Sequence, residues 1–372
     1  MFPVISYLDW IAGKPAQVTH DLGSSDLRSS NPSYTRVTPA VLSGLDDPPE
    51  DVTLESQIAA AYGVEPERVL LTAGASHANF LAVATTVSAD GTPEEAADET
   101  ARDQRILVEK PGYEPLVAMP TALDIQTDRF LRTDETDFQL DPARVEAALT
   151  EETDLAIVTN RHNPSGVLSS RESLADVARL CGEFDARLLV DEVYGSFVQD
   201  AVGDAAFGGV TAAGLEHTVV TGSVTKFFGL GELRVGWLIA DEPFIERARH
   251  ICQYVPAVAG PSVALARRAF HNAETLADQA HARLATNHAQ LSSFVADRPD
   301  LRGTIQPGCT YGLLQHEALD GDELAEAAWE ADILIVPGRF FGVPEGFRLA
   351  ASRAPEDVEV GLSAFGSLLD DL

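Results

Sequence analysis

The chain has 372 residues, of which 45% are hydrophobic, so it is long enough for one large α/β domain and a smaller second one. Acidic residues number 58 against 26 lysines and arginines, and the formal net charge of -32 disfavours nucleic acid and anionic membrane surfaces as partners. No run of 18 apolar residues occurs, so we expect no transmembrane helix.

Charge and cysteine distribution indicate where the protein works. The acidic residues are spread along the whole chain, which favours a protein kept soluble in high salt and hence a halophilic source. The first residues lack a basic region and a cleavage site, so no secretory signal is predicted. Cys181, Cys252 and Cys309 are scattered and lack metal-ligand spacing. We therefore expect reduced thiols, a cytoplasmic location and no metal site.

Short apolar strands alternate with amphipathic helices along the chain. Residues 1–45 look irregular, and a helix is predicted from Thr53 to Gly63. Strands are predicted at 69–74, 105–110, 155–160, 187–194, 217–223 and 235–240, with amphipathic helices between them. This alternation predicts an α/β fold with a mostly parallel sheet covered by helices on both faces.

The remaining segments suggest how the chain divides into domains. Residues 88–105 read as an acidic surface insertion, and a long helical segment follows Pro261. Residues 300–372 mix short strands and helices, as expected for a smaller α+β unit. We predict an N-terminal arm at 1–45 that belongs to the small domain, a large domain at 46–260, and a C-terminal small domain at 261–372.

The segment TGSVTKFFGLGELRVGW (221–237) places an amine after a buried strand. The chain has only three lysines, and Lys226 lies among small and apolar residues, where an ammonium group is costly. Ser223 precedes it by three residues and Arg234 follows by eight. A hydroxyl and a guanidinium suit a phosphate, and an amine can attack an aldehyde, so the spacing suits a phosphorylated aldehyde.

This segment resembles the lysine motif of the fold-type I, class I/II pyridoxal-phosphate (PLP) aminotransferases. The resemblance implies a three-layer PLP-transferase fold, with 46–260 as the PLP-binding domain. It also implies that Lys226 holds PLP as a Schiff base and later moves the substrate Cα proton, while Ser223 and Arg234 bind the phosphate. Thr225 stands where serine is common, which is a mild departure.

Two further strand ends match the family in order and spacing. In VDEVYGSF (190–197), the resemblance implies that Asp191 pairs with the pyridine nitrogen and that Tyr194 donates to the phenolic oxygen of PLP. In VTNRHNPSG (158–166), it implies that Asn163 contacts the phenolic oxygen and lies close to the substrate carboxylate. His162 replaces a more usual small or polar residue, and we expect it to serve local packing.

The turn LTAGASHANF (71–80) leads into a helix whose first N–H groups suit a phosphate. We assign Gly74, Ala75 and Ser76 to the phosphate, and expect His77 to be a partly buried residue of the helix surface. In KPGYEPL (110–116), Tyr113 stands where the family has an aromatic residue that stacks on the pyridine ring.

The segment PGRFFGVPEGFRLA (337–350) resembles the family's C-terminal motif. It implies that Arg348 binds the substrate α-carboxylate, and Gly23 would approach the same carboxylate through its backbone. Many relatives carry a tyrosine about ten residues before the helix at LESQIA that reaches the partner's phosphate site. Residues 43–53 contain none, and Tyr34 is too distant, which puts that contact in doubt but leaves the expected homodimer unaffected.

The resemblance implies an aminotransferase that moves an amino group between an L-amino acid and a 2-oxo acid. Related reactions stay open, because the family also includes carbon–sulfur β-lyases and enzymes that cyclise or decarboxylate amino acids. A catalytically silent PLP-binding or nucleotide-binding regulator is disfavoured, since the chain lacks a basic patch and a G-x-G-x-x-G after a strand. The sequence does not identify the amino-acid donor.

Overall fold

The computed structural model describes residues 4–28, 37–88, 104–198, 203 and 206–372. Its largest sheet consists of β2 (Val69–Thr72), β3 (Arg105–Lys110), β4 (Gln126–Leu131), β5 (Thr153–Thr159), β6 (Arg187–Asp191), β7 (Thr218–Ser223) and β8 (Gly236–Ile239). The strands lie in the order β2-β8-β7-β6-β5-β3-β4. Strand β8 runs in the opposite direction to the other six strands, so the prediction of a mostly parallel sheet is confirmed.

Both faces of this sheet are buried, because successive residues of every strand except β4 enter different apolar clusters. In β6, Leu188 and Val190 belong to one cluster and Leu189 to the other. The first face is covered by α2 (Leu54–Tyr62), α5 (Pro142–Glu146), α6 (Arg171–Glu183) and α8 (Gly260–His271). The second is covered by α3 (Ala75–Val87), α4 (Glu114–Ala122) and α7 (Glu242–Cys252). The predicted three-layer α/β architecture is therefore confirmed.

Side-chain caps explain why several helices begin where they do. The Thr53 hydroxyl accepts a hydrogen bond from the Ser56 N–H at the start of α2, and Gly63 ends that helix in the left-handed conformation. The Ser170 hydroxyl caps α6, and the Asp241 carboxylate caps α7. Each cap satisfies an N–H group that lacks a partner within its helix.

A smaller antiparallel sheet is formed by the C-terminal part of the chain. It contains β9 (Leu301–Arg302), β10 (Tyr311–His316), β12 (Val336–Pro337) and β13 (Gly346–Ala350), in the order β12-β13-β10-β9. Helices α9 (Ala273–Ala296), α10 (Gly321–Glu330) and α11 (Pro355–Asp370) contribute to its apolar core. The arm strand β1 (His20–Asp21) pairs with β11 (Ile333–Leu334). This contact supports grouping the arm with the C-terminal unit, although the domain boundaries stay predictions.

The structure differs from the sequence-based elements in five places. A short helix, α1 (Ser6–Ile11), lies in the N-terminal region predicted to be irregular. Strand β4 was not predicted, because this edge strand is mostly polar and only Phe130 in it is buried. The long helix after Pro261 is two helices, since the backbone leaves the helical conformation at Asn272 (φ -106°, ψ 26°). Strands β2 and β6 end at Thr72 and Asp191, earlier than predicted.

The acidic segment at 88–105 lies mostly outside the described residues. In the described part of the chain, no helix is long and apolar enough to cross a bilayer.

Candidate active site

The parallel strands deliver polar side chains to one edge of the large sheet. Asp191 and Ser223 are the last residues of β6 and β7, and Thr159 is the last residue of β5. Thr159 pairs in register with Asp191, and Asp191 pairs with Thr221, so these strand ends lie side by side. Ligands of open α/β sheets bind at this carboxyl edge.

A cavity of about 360 Å³ opens at that edge, enclosed by the arm, the large sheet and β13. Its lining contains most of the residues predicted from sequence: Ala75, Ser76, Tyr113, Asn163, Asp191, Tyr194, Ser223, Lys226, Arg234 and Arg348. Gly23 and Gly74 contact lining residues instead. A larger cleft of about 610 Å³ lies between Tyr62 and Thr211, but the described residues that line it include neither a lysine nor a carboxylate.

Asp191 is a buried carboxylate held by two donors. Its Oδ2 accepts from Asn79 Nδ2 at 2.8 Å, and its Oδ1 accepts from the Val193 N–H at 3.1 Å. The Thr221 hydroxyl donates to Asn79 Oδ1 at 2.6 Å, so the Asn79 amide is oriented with its nitrogen toward Asp191. Burial nevertheless raises the pKa of Asp191, although Asn79 and Lys226 lower it. A cationic ring nitrogen placed against it would offset that burial cost.

Lys226 is half-buried and follows β7 by three residues. Its Nζ donates to Ser25 Oγ at 3.5 Å and lies 5.4 Å from the centroid of the Tyr194 ring. The Ser25 hydroxyl is also 2.6 Å from the Tyr194 hydroxyl. Burial lowers the pKa of the Lys226 amine, but Tyr194 and Asp26 outweigh it, so the pKa lies above its usual value. The amine therefore lies among groups that can accept its hydrogen bond or attract its positive charge.

Arg348 is a fully buried cation on β13, with 1% of its surface exposed. Its Nη1 donates to Asn163 Oδ1 at 2.8 Å, and its Nη2 donates to the Gly23 carbonyl at 3.0 Å. Among the described residues, no carboxylate lies within 4.0 Å of the guanidinium, and its Nε lacks a hydrogen-bond partner. Because buried charges are normally paired, this arrangement suits an anionic ligand.

Gly23 contacts the guanidinium rather than the cavity itself. Its carbonyl accepts from Arg348, while its N–H donates to Asp21 Oδ1 at 3.1 Å. The predicted direct approach of Gly23 to a substrate carboxylate therefore stays a prediction, and its observed contact is with the arginine.

A second group of donors gathers at the start of α3. Ser76 and Arg234 are exposed, and Ser223 is buried beside them in the cavity lining. Arg234 Nη2 donates to the Ala73 carbonyl at 3.1 Å. Gly74 has φ 82°, and a Cβ at this position would lie 2.9 Å from Arg234 Nη2. Glycine thus permits the guanidinium to approach the helix N-terminus, which with the hydroxyls forms a favourable site for an anion.

Tyr113 lies in the cavity wall where α4 begins. Its ring meets Tyr7 of α1 edge to face, with centroids 5.6 Å apart. Burial, with Tyr7 and Tyr194 nearby, raises the pKa of Tyr113 well above its usual value, so its phenol stays neutral. A neutral aromatic side chain in this position suits contact with a flat ring.

The comparisons with known proteins agree with this geometry. The profile of the family described as aminotransferase class I and II matches residues 45–365. The chain belongs to this family. This membership confirms the sequence-based assignment of the family and of a transaminase.

Curated relatives of this aminotransferase include two that it matches along most of its length. An aspartate aminotransferase from Streptomyces avermitilis is 25% identical, with 92% of this chain and 83% of the relative covered. Capreomycidine synthase from Streptomyces vinaceus is 26% identical, with 99% of this chain and 94% of the relative covered.

Solved structures support the fold. A PLP-dependent aminotransferase from Streptococcus suis superposes with a TM-score of 0.81 at 18% identity, covering 100% of this chain and 98% of that one. The PLP-dependent cyclase OrfR gives a TM-score of 0.77 at 24% identity, covering 98% and 96% of the two chains. The predicted fold type I architecture is thereby confirmed.

The donor set of this aminotransferase fits pyridoxal phosphate, on which the family depends. Asp191 is a buried carboxylate suited to a protonated ring nitrogen, and Lys226 is an amine within the same cavity. The α3 N-terminus with Ser76, Ser223 and Arg234 matches a phosphate in charge and donor number. The space left by the missing Cβ at Gly74 lies at this anion site.

Sequence reasoning missed several residues that line the cavity of this aminotransferase, among them Tyr7, Ser25, Asn79 and Thr159. Asn79 follows Ser76 by three residues on α3, so helical spacing places both on one face, a signal that was available. Ser25 and Tyr7 lie on the arm, whose segments are too short and irregular for periodicity to reveal which side chains face the cavity.

The two histidines near the motifs behave as packing residues of this aminotransferase. His162 is fully buried, with Nδ1 2.6 Å from Ser165 Oγ and Nε2 3.0 Å from the Pro111 carbonyl. Burial, with Arg132 nearby, lowers the pKa of His162 well below its usual value. His77 is partly buried on α3 and accepts from the Ala73 N–H. Tyr34, considered for the partner's phosphate site, lies outside the described residues.

Proposed function

We propose that this aminotransferase binds PLP on Lys226 and moves an amino group from an L-amino acid to a 2-oxo acid. The observation that carries the proposal is the meeting of three groups in one cavity: the Lys226 amine, the buried Asp191 carboxylate and the buried Arg348 guanidinium. Each suits a different part of the reaction, namely the cofactor aldehyde, the ring nitrogen and the substrate carboxylate.

The residues of this chain would hold the cofactor from several sides. Asp191 would pair with the ring nitrogen, and Asn79 and the Val193 N–H would keep its carboxylate oriented. Gly74, Ala75, Ser76, Ser223 and Arg234 would hold the phosphate, Tyr113 would contact the ring face, and Asn163 with Tyr194 would donate to the phenolic oxygen. Bound PLP supplies an electron sink for the pair released when the substrate loses its Cα proton.

Asn163 and Arg348 would bind the substrate α-carboxylate. Because arginine has only donors, the Asn163 oxygen must face Arg348 Nη1, which leaves the amide nitrogen as a donor for a ligand in the cavity. The guanidinium is already held at one carbonyl and one amide, so little ordering is needed on binding. Gly23 would approach the same carboxylate through its backbone, and its carbonyl already accepts from Arg348 Nη2.

Lys226 would act as the general base once the substrate amine has replaced it on the cofactor. Its Nζ would take the proton from the substrate Cα and return it at the cofactor carbon, and hydrolysis by water would then leave the amino group on the cofactor. Ser25 and Tyr194 contact or flank the amine and would keep it oriented toward the cavity during this transfer. Release of a 2-oxo acid ends the first half of the reaction, and a second 2-oxo acid reverses the steps.

The proposal includes a homodimer in the cytoplasm of a halophile. Val37 and Tyr254 are large hydrophobic residues with 86% and 89% of their surface exposed, and a second copy would cover such side chains. Cys181, Cys252 and Cys309 are free thiols, which suits a reducing compartment. Sedimentation equilibrium in concentrated potassium chloride tests the dimer, and a monomer at micromolar concentration contradicts it.

A cyclase reaction is the second candidate, because capreomycidine synthase matches 99% of this chain. Cyclases, carbon–sulfur β-lyases and decarboxylases of the same fold share the cofactor chemistry up to loss of a bond at Cα, and differ afterwards. The cavity residues described above serve either outcome, so the products must be measured.

The test is to identify the product of a single turnover. The PLP-loaded protein is mixed with individual L-amino acids without an acceptor, and the 2-oxo acid released is quantified. We expect one 2-oxo acid per subunit, with further turnover only after pyruvate or 2-oxoglutarate is added. Continuous pyruvate release from cystathionine without an acceptor would establish a lyase instead, and a cyclic product of unchanged nitrogen content would establish a cyclase.

A further inference from the structure

A buried ion pair lies behind the cavity and was not part of the predicted site. Glu109, near the end of β3, accepts from Arg132 Nη1 through Oε2 at 2.7 Å, and neither side chain is more than 1% exposed. Arg132 Nε donates to the Phe138 carbonyl at 2.7 Å, so the guanidinium is held on two sides. Glu109 lies one residue before the end of β3, and Arg132 follows the end of the neighbouring parallel strand β4.

Stability alone does not explain why this pair is buried. Burial raises the pKa of Glu109 even though Arg132 and Thr159 lower it, and burial lowers the pKa of Arg132 despite the nearby carboxylate. For both groups, burial outweighs the attraction of the oppositely charged partner in setting the direction of the pKa shift. Apolar residues of similar volume are often at least as stabilising as such a pair. The pair therefore calls for another role.

The pair holds the end of β5 through Thr159. Glu109 Oε1 accepts from the Thr159 N–H at 2.7 Å and from the Thr159 hydroxyl at 2.6 Å. A hydroxyl can donate one hydrogen bond, and the Thr159 hydroxyl donates it to the Glu109 carboxylate. The Thr159 oxygen can therefore only accept from other groups. The Asn163 N–H donates to that oxygen at 3.0 Å. An ionised Glu109 thus determines the direction of this short hydrogen-bond chain.

This hydrogen-bond chain leads to Asn163, whose side chain lies between the proposed cofactor and substrate subsites. Asn163 is buried in the cavity wall, and its Oδ1 accepts from Arg348 Nη1 at 2.8 Å. A shift of the Asn163 backbone would move its amide nitrogen relative to the cavity and loosen its contact with Arg348.

We propose that Glu109 and Arg132 form a positioning pair that acts through Thr159 to hold Asn163, and with it Arg348, in the geometry that binds cofactor and carboxylate. The inference rests on the proposed function, since it assigns Asn163 a ligand in the cavity. It makes Thr159 the transmitting residue, and the pair acts on the reaction without touching the reacting atoms.

Thr159→Val tests the proposal because it removes the hydroxyl at nearly constant volume, and Thr159→Ser is the matched control that keeps it. We expect Thr159→Val to raise KM for both substrates about tenfold and to change kcat less. It should also raise the pH midpoint of the visible absorption of the PLP-loaded protein by about half a unit, because Asn163 donates less well to the phenolic oxygen. Thr159→Ser should leave KM and the absorption midpoint at parent values. Glu109→Gln should shift both in the same direction as Thr159→Val.

A double-mutant cycle separates positioning from general destabilisation. In an Asn163→Ala background, Thr159→Val should cause no further shift of the absorption midpoint, because its effect passes through Asn163. An equal shift in both backgrounds, or a lowered Tm with unchanged KM and midpoint, overturns the proposal while the proposed function stands. Absence of a lysine-bound absorption band in the parent protein would instead refute the proposed function, and this inference with it.

Discussion

Asn79 donates its amide nitrogen to the buried carboxylate of Asp191 over 2.8 Å, and Thr221 fixes the direction of that donation. The contact joins α3, whose N-terminus forms the anion site, to the end of β6, which carries the Asp191 carboxylate. It lets one short helix segment serve two parts of the cavity, since Ser76 on the same helix lines the anion end. Helix α3 would therefore help to position both the cofactor phosphate and the ring nitrogen.

Asn79→Asp should weaken PLP binding and catalysis because it places a second carboxyl against Asp191. Like charges at hydrogen-bond distance raise the pKa of Asp191 further, and a protonated Asp191 no longer pairs with a cationic ring. We expect kcat/KM to fall on the order of 10- to 100-fold and the Kd for PLP to rise. Thr221→Ser, which keeps the hydroxyl facing Asn79, serves as the control. Parent-like values in Asn79→Asp would contradict the role given to this contact.

Arg348→Lys should separate substrate binding from cofactor binding. Lysine keeps the charge but loses the planar fork that contacts Asn163 and Gly23 together. We expect kcat/KM for amino acid and 2-oxo acid to fall on the order of 100-fold, with an unchanged Kd for PLP. Arg339→Lys, on the exposed part of the preceding turn, should leave both constants at parent values. A selective loss of PLP affinity in Arg348→Lys would show that this arginine binds the cofactor and not the substrate carboxylate.

Residues near strand ends could be predicted from the sequence most directly, whereas the contacts of the N-terminal arm were largely missed. Asp191, Ser223 and Lys226 could be placed because parallel strands bring their carboxyl ends to one edge, whatever the intervening loops do. The contacts of Gly23 could not be read in the same way, since an irregular arm has no periodicity that assigns its carbonyl to Arg348.

The buried network behind the site was equally invisible from sequence. Glu109 stands in an apolar strand, and its partner Arg132 follows β4, the polar edge strand that the pattern did not reveal. Without that strand, no argument from spacing brings the two charges together. Pairings across a sheet depend on strand order, which the alternation of strands and helices does not specify.

Glu192 should make the protein less stable as the pH rises toward neutrality. Burial raises the pKa of Glu192 to about 8, and its Oε1 accepts from the Ala212 N–H at 2.7 Å. A carboxyl whose pKa is higher in the folded state stabilises the fold fully below its unfolded pKa of 4.5 and loses that contribution as the pH rises through 8. The effect reaches a few kcal/mol, at about 1.4 kcal/mol per pH unit.

Glu192→Gln should therefore flatten the dependence of unfolding free energy on pH between about 5 and 8. The glutamine oxygen can still accept from Ala212, so the comparison isolates ionisation. Denaturant unfolding across this range is the measurement, with exposed Glu330→Gln as the control for the loss of a surface charge. An identical pH profile in parent and Glu192→Gln would show that the buried carboxyl does not titrate as described.

The net charge of -32 should make stability depend strongly on salt. Between about 0.1 M and about 1 M potassium chloride, the Debye length falls from ~10 Å to ~3 Å, which screens the repulsion among surface carboxylates. We expect Tm to rise by several degrees over this range, whereas sucrose at matched osmolality should raise it less. Full stability without added salt would argue against a halophilic source.

The bond between Lys226 and the cofactor is tested by finding the atom that carries the cofactor. The PLP-loaded protein is reduced with borohydride, digested and analysed by mass spectrometry, with Lys226→Ala as the comparison. We expect a pyridoxyl mass on the peptide containing Lys226, and neither that mass nor the visible absorption of a lysine-bound cofactor in Lys226→Ala. A pyridoxyl group on Lys14 or Lys110, or unchanged turnover in Lys226→Ala, would contradict it.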